Sequence, residues 1–137
     1  MENNASINQA VLSLLPQLGA EDTAAIVAHL PRLKARLAHL TAAMPGMQHS
    51  IAIKTNPQIS LLRTLVGWGY GLEAASIEEV RRAKTAGCSV DQIVFDSPVK
   101  TRLEIAEVAY ESGMLVNVNT LDELERFPAN ATCVLGI

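Results

Sequence analysis

Aromatic residues are scarce in this sequence, and so is charge: Phe, Trp and Tyr make up 4% of its 137 residues, and Asp, Glu, Lys and Arg 18%. With 49% hydrophobic residues the chain has enough apolar material to fold, which excludes a disordered class. Lys and Arg form no block. Eleven of them stand against fourteen acidic residues, for a net charge of −3, which argues against a nucleic-acid partner. Cys-x-x-Cys pairs are missing too. Cys88 and Cys133 lie far apart, and His29, His39 and His49 share no short ligand motif, so neither a zinc site nor a disulfide framework is expected. No apolar run approaches the ~20 residues that a membrane helix requires. The opening Met-Glu-Asn-Asn-Ala-Ser is acidic and polar, unlike a secretory leader, so a cytoplasmic protein without a membrane partner is expected. Length suggests one domain that buries roughly 70% of its unfolded surface.

What is present is a rhythm. Ile7, Val11, Leu14, Leu15 and Leu18 predict an amphipathic helix over residues 5–18, with Gly19 after it. Ala24 to Ala28 is a short apolar run that reads as a strand. Pro31 suits a first helical turn, and Leu30, Leu33, Leu37, Leu40 and Met44 form one stripe that ends at Pro45-Gly46. Strands are then expected at 50–53, 72–75, 93–95, 114–118 and 132–137. Helices are expected between them at 57–66, 76–86, 99–112 and 121–127. In the 99–112 helix, Val99, Leu103, Ala106 and Tyr110 align as an apolar stripe. Ser76-x-x-Glu79 has capping-box spacing, Thr120 suits a cap, and Gly87 and Gly113 suit helix stops. Strict alternation at about 20 residues per unit implies parallel βαβ units with right-handed crossovers. No Gly-x-Gly-x-x-Gly or Walker loop follows the first strand, and Gly67-x-Gly69-x-Gly71 precedes its strand and reads as a turn. The expected fold is α/β: a partial (β/α)8 TIM-type barrel of about five βα units, preceded by an amphipathic helix. Residues 1–22 would form the helical extension and 23–137 the barrel portion.

Barrels of this type place functional groups at the C-terminal ends of strands. That rule selects Lys54 to Pro57, Glu73 to Ser76, Asp96 to Pro98 and Asn117 to Thr120. Lys54 directly ends an apolar strand, where partial desolvation would free its amine as a nucleophile. Such lysines serve Schiff-base chemistry with an aldehyde, either a substrate or pyridoxal phosphate. The plainer alternative is a rim lysine that snorkels to water. Glu73 could tune that lysine or a cationic cofactor, or could be an ordinary solvated carboxylate. Lys100 reads as structural, His39 as a surface or boundary residue, and Trp68 and Tyr70 as packing groups.

Taken together, these segments resemble the fold-type III pyridoxal-phosphate family, which holds the ornithine, diaminopimelate and arginine decarboxylases, with alanine racemase as a distant relative. Ile51-Ala52-Ile53-Lys54-Thr55-Asn56 is similar to the family's Tyr-Ala-Val-Lys-x-Asn, and Gly71-Leu72-Glu73-Ala74-Ala75-Ser76 to its Gly-Phe-Asp-x-Ala-Ser. Ile93 to Lys100 resembles Ile-x-Phe-x-x-Pro-x-Lys, and Asn117 to Leu124 resembles Asn-Val-Asp-Ser-x-x-Glu-Leu. The resemblance covers residues 24–137. It implies that Lys54 is the catalytic, Schiff-base residue. It also implies that Lys54, Glu73 and Ser76 bind pyridoxal phosphate, and that an amino-acid substrate loses carbon dioxide.

Departures accompany it. Glu73 stands where the family usually has Asp. Thr23 to His29 stands where it has Thr-Pro-x-Tyr-Val-Tyr-Asp. Gly136 stands where an Arg commonly faces the cofactor. The later barrel strands and the phosphate loop would lie beyond Ile137. The expected function is therefore the N-terminal half of a pyridoxal-phosphate-dependent amino-acid decarboxylase that needs further sequence, a complementing chain or homo-oligomerisation. The alternatives are a non-catalytic relative that works by binding and an amino-acid racemase fragment.

Overall fold

The computed structural model describes residues 4–137, which form two compact units, one ending at Met47 and the other spanning Gln48–Ile137. Helix α1 in the first unit covers Asn4–Leu14 and passes into a 3-10 turn at Leu15–Gln17. The helix stops short of the expected residue 18 because Pro16 has no N–H to give and its ring crowds the preceding turn. Residues 23–29 take up no regular structure, so the strand expected at 24–28 is corrected to an exposed segment in which Ile26 is 86% accessible. Five apolar residues do not hold an extended form without a neighbouring strand to pair with. Helix α2 spans Leu30–Ala43 with Pro31 in its first turn, and His29 Nδ1 accepts a hydrogen bond from Arg32 N at 3.2 Å as its cap. Of the expected stripe only Leu37 is buried, while Leu30, Leu40 and Met44 are exposed.

The second unit alternates strand and helix: β1 Ser50–Ala52, α3 Ile59–Gly67, β2 Gly71–Ala74, α4 Ile77–Thr85, β3 Ile93–Phe95, α5 Arg102–Val108, β4 Leu115–Asn117, α6 Leu121–Leu124 and β5 Val134–Gly136. All neighbouring pairs are parallel, and the sheet order is β1-β2-β3-β4-β5. A doubly wound sheet reverses its strand order part-way; an unbroken order is how a βα barrel lays down its strands. The register places Leu72 beside Ile93, and Ala74 beside Phe95 beside Val116, and all five are fully buried. Period-two alternation sends Glu73, Val94, Leu115 and Asn117 to the opposite, less buried face.

Local signals set most boundaries. Ser76 Oγ accepts from Glu79 N at 3.3 Å, and Thr120 Oγ1 accepts from Glu123 N at 3.1 Å. Gly87 closes α4 at φ +88°, and Gly113 takes the same φ in the turn before β4, a conformation that disfavours side chains with a Cβ. Helix α5 ends at Val108, short of the expected residue 112, so Gly113 is a turn residue and not its stop. Helix α5 requires a correction. It begins at Arg102 instead of 99, because Thr101 and Glu104 form a reciprocal capping box: Glu104 N to Thr101 Oγ1 at 3.2 Å, and Thr101 N to Glu104 Oε2 at 2.7 Å. The buried face is therefore Ile105, Val108 and Ala109, whereas the expected stripe of Val99, Leu103, Ala106 and Tyr110 is exposed. Arg81 bridges Glu78 and Glu107 across the outer surface of α4 and α5, and Lys84 Nζ meets Glu111 at 2.5 Å. Both cysteines are free, and no helix among the described residues is long and apolar enough to cross a membrane.

Candidate functional site

The C-terminal ends of β1, β2, β3 and β4 carry the polar residues of the second unit. Strand β1 ends at Ala52, and Lys54 lies on a 3-10 turn, Ile53–Thr55, instead of directly ending the strand. The chain breaks here for local reasons. Thr55 Oγ1 donates back to Ala52 O at 2.8 Å, and Asn56 N to Ile53 O at 3.0 Å. Pro57 then keeps Asn56 extended, and Asn56 Oδ1 accepts from Gln58 N at 3.2 Å. Ile53 is fully buried and anchors the turn, which leaves Lys54 exposed above the sheet.

Glu73 is brought beside this amine. It pairs in register with Ala52 on one side and Val94 on the other. Its Oε1 is buried without a hydrogen-bond partner. Burial pushes the Glu73 carboxyl above its ordinary range; the Lys54 ammonium opposes that rise, while the Asp96 and Glu79 carboxylates add to it. Lys54, Glu73, Asp96 and Glu79 thus share one electrostatic neighbourhood. Ser76 lies at the start of α4, where its hydroxyl caps the helix, and Glu79 Oε2 reaches back to Ala75 N at 2.7 Å. The strand-end rule selects Asp96, and the capping spacing Glu79; what the sequence does not show is that both carboxylates act on Glu73.

A raised carboxyl pKa means that the folded state binds the proton more tightly than the unfolded chain. Its contribution to stability is then lost as pH rises through the ordinary glutamate range of about 4.3 and above. Replacing Glu73 by Gln is expected to raise the thermal midpoint at pH 7 and to leave it unchanged near pH 4. Paired calorimetric scans at the two pH values check this, and a lower midpoint at pH 7 would contradict the assignment.

A second polar cluster lies deeper, beneath the loops that follow β3 and β4. Lys100 is 1% exposed, and Glu123 is 4% exposed. Lys100 Nζ donates to Ser97 O at 2.8 Å, to Asn117 O at 2.5 Å and to Glu123 Oε1 at 3.2 Å, and lies 5.3 Å from the centre of the Phe95 ring. Glu123 Oε2 accepts from Asn119 N at 2.8 Å, and Asn119 Nδ2 donates to Ser97 O at 2.8 Å. Burial acts to raise the Glu123 carboxyl, but the Asn119 N–H and the Lys100 ammonium outweigh it and hold the group below its ordinary range. This network supports the structural reading of Lys100. A helix starting at 99 would have turned Lys100 outward; the capping box at Thr101 and Glu104 is the sequence signal that places it before the helix, inside.

Gly136 admits another close approach. A Cβ there would lie 2.5 Å from Asn117 Oδ1 and 3.2 Å from Leu115 Cδ1, so the Asn117 amide occupies the space that a side chain at 136 would need.

Residues 30–133 match the family model described as pyridoxal-dependent decarboxylase, pyridoxal binding domain. An L-glutamyl-(BtrI acyl-carrier protein) decarboxylase of Niallia circulans is 36% identical over 89 residues, covering 65% of this chain and 19% of that protein. An ornithine decarboxylase of Schizosaccharomyces pombe is 31% identical over 106 residues, covering 77% and 24%. Among solved structures, lysine/ornithine decarboxylase from Vibrio vulnificus, complexed with cadaverine, superposes with a TM-score of 0.79 at 22% identity, over 96% of this chain and 35% of that one. The chain spans about a fifth to a quarter of the length of these two curated relatives. The structural match carries the fold, a portion of a βα barrel, and the matched family uses pyridoxal phosphate.

Proposed function

This chain belongs to the pyridoxal-dependent decarboxylase family through its pyridoxal-binding domain, and from that premise we propose that it forms the N-terminal half of an amino-acid decarboxylase whose cofactor is held by Lys54. One observation carries the reading: an exposed amine at the C-terminal end of β1 lies beside a carboxylate whose buried Oε1 has no partner. An orphaned acceptor next to an amine suits a ligand that brings a positive charge or an N–H to that spot. Pyridoxal phosphate, when bound, supplies an electron-withdrawing ring that stores the electron pair left by the departing carboxylate.

This chain's residues divide the work. Lys54 Nζ holds the cofactor covalently, Glu73 balances positive charge beside it, and Ser76 adds a hydroxyl at the end of β2. The phosphate is a different matter. A dianion is held by backbone N–H nests, helix N-termini or cations, whereas Glu73, with the Asp96 and Glu79 carboxylates acting on it, would repel it. Phosphate binding is therefore assigned to further sequence, a complementing chain or a second copy. The barrel portion is taken as residues 23–137, with 1–22 as a helical extension, and the two free cysteines accord with a cytoplasmic location.

The test is chemical. The chain is incubated with pyridoxal phosphate, reduced with borohydride and mapped by peptide mass. Lys54 is expected to carry the adduct in clear preference to Lys34, Lys84 and Lys100, and Lys54→Ala to remove it. Labelling spread evenly over the exposed lysines would overturn the assignment.

A further inference from the structure

The buried Lys100–Glu123 pair lies outside the site just described, and its partners are unusual for a stabilising contact. Two of the three groups that Lys100 Nζ holds are backbone carbonyls, Ser97 O from the loop after β3 and Asn117 O from the last residue of β4. Glu123 closes the same ring from the other side through Asn119 N, and Asn119 Nδ2 returns to Ser97 O. Three backbone groups, Ser97 O, Asn117 O and Asn119 N, are thereby fixed by one ammonium and one carboxylate. A buried ion pair adds little net stability compared with apolar residues of similar volume. What it does is fix geometry, because each of its hydrogen bonds holds only while the two segments keep their separation.

The segments in question carry functional-face residues. Asp96 immediately precedes Ser97, and Asn117 is itself bonded through its carbonyl. Asp96 acts on Glu73, and Lys54 acts on Glu73 in turn. We propose that Lys100 is a positioning residue: with Glu123 it clamps the 96–100 and 117–120 segments so that Asp96, whose N–H donates at 2.8 Å to the carbonyl of Ala74, next to Glu73, keeps its place beside Glu73. The proposal rests on the Lys54 reading only for what the loops face.

The test removes both charges at once, in the 137-residue chain carrying Lys100→Met and Glu123→Met. The double variant leaves neither partner charged in the interior and is expected to keep the wild-type far-UV spectrum. Its loops should loosen, so amide hydrogen exchange at 96–99 and 117–120 rises at least about tenfold while β2 and β3 stay protected. The Glu73 titration midpoint, followed by carbon NMR, should move toward its ordinary value as Asp96 drifts away. Lys100→Arg keeps the charge but spreads it over a planar fork that cannot meet both carbonyls in the same place, so the Glu73 midpoint should move in the same direction. Unchanged exchange and an unchanged Glu73 midpoint in both variants overturn the proposal. Failure of the double variant to fold also overturns it, because the pair would then hold the fold and not the loops. None of these readouts involves the cofactor, so they stand or fall separately from borohydride labelling at Lys54.

Discussion

Lys100→Met alone destabilises the second unit by about 3–5 kcal/mol, the range found when one partner of a buried ion pair is removed. The thioether fills the space, so the cost is electrostatic. Glu123, 4% exposed, is left as a charge without its ammonium, and Ser97 O and Asn117 O lose a donor in an interior that offers no water. Urea unfolding followed by far-UV circular dichroism measures the loss. The double replacement with Glu123→Met should recover most of it, since the stranded carboxylate is then gone, and comparison of the single and double variants isolates the pair. A single variant within about 1 kcal/mol of the parent would mean that Glu123 finds another donor or takes up a proton.

Phe95→Ala costs about 3–5 kcal/mol by the usual range for deleting a buried phenyl ring. Phe95 is fully buried, is the largest of the fully buried side chains and lies in register between Ala74 and Val116. Its small neighbour Ala74 cannot grow to fill the void. Its ring also lies 5.3 Å from Lys100 Nζ, so truncation removes a favourable π-face from a desolvated cation. Phe95→Leu keeps most of the volume and should lose less than half as much. Denaturant midpoints at constant slope check both, and a Phe95→Ala loss below about 1.5 kcal/mol would imply that the helices close over the gap.

With typical domains stable by only about 5–15 kcal/mol, either substitution removes a large share of the margin. Much of this unit was legible in the sequence because its signals are local. Strand β3 is the apolar run Ile93-Val94-Phe95, Gly87 stops α4, and Ser76 and Thr120 cap helices. Where the reading failed, a second signal competed with the first. Val99, Leu103, Ala106 and Tyr110 keep a helical period, but Thr101-x-x-Glu104 starts the helix later and turns that stripe to solvent. Ala24 to Ala28 has strand composition but pairs with no strand among the described residues. The strand-end rule put Lys54 at the C-terminal end of β1, where it lies, although the turn that carries it depends on Thr55, Asn56 and Pro57 together. Lys100 was legible as a structural residue, but its bonding to Ser97, Asn117 and Glu123 was not. Ser97, Lys100, Asn117, Asn119 and Glu123 span two βα units, and only the parallel register of β3 and β4 brings them together.

The contact at Gly136 bears on how this edge of the sheet can change. A side chain introduced there first would meet Asn117 Oδ1 at 2.5 Å and would have to displace it. Shortening Asn117 first empties the same volume at little steric cost, after which position 136 can accept a larger residue. Positions 117 and 136 are therefore coupled: a side chain at 136 is accommodated most readily when Asn117 is shortened or its amide turns away, with Leu115 Cδ1 at 3.2 Å giving a little as well.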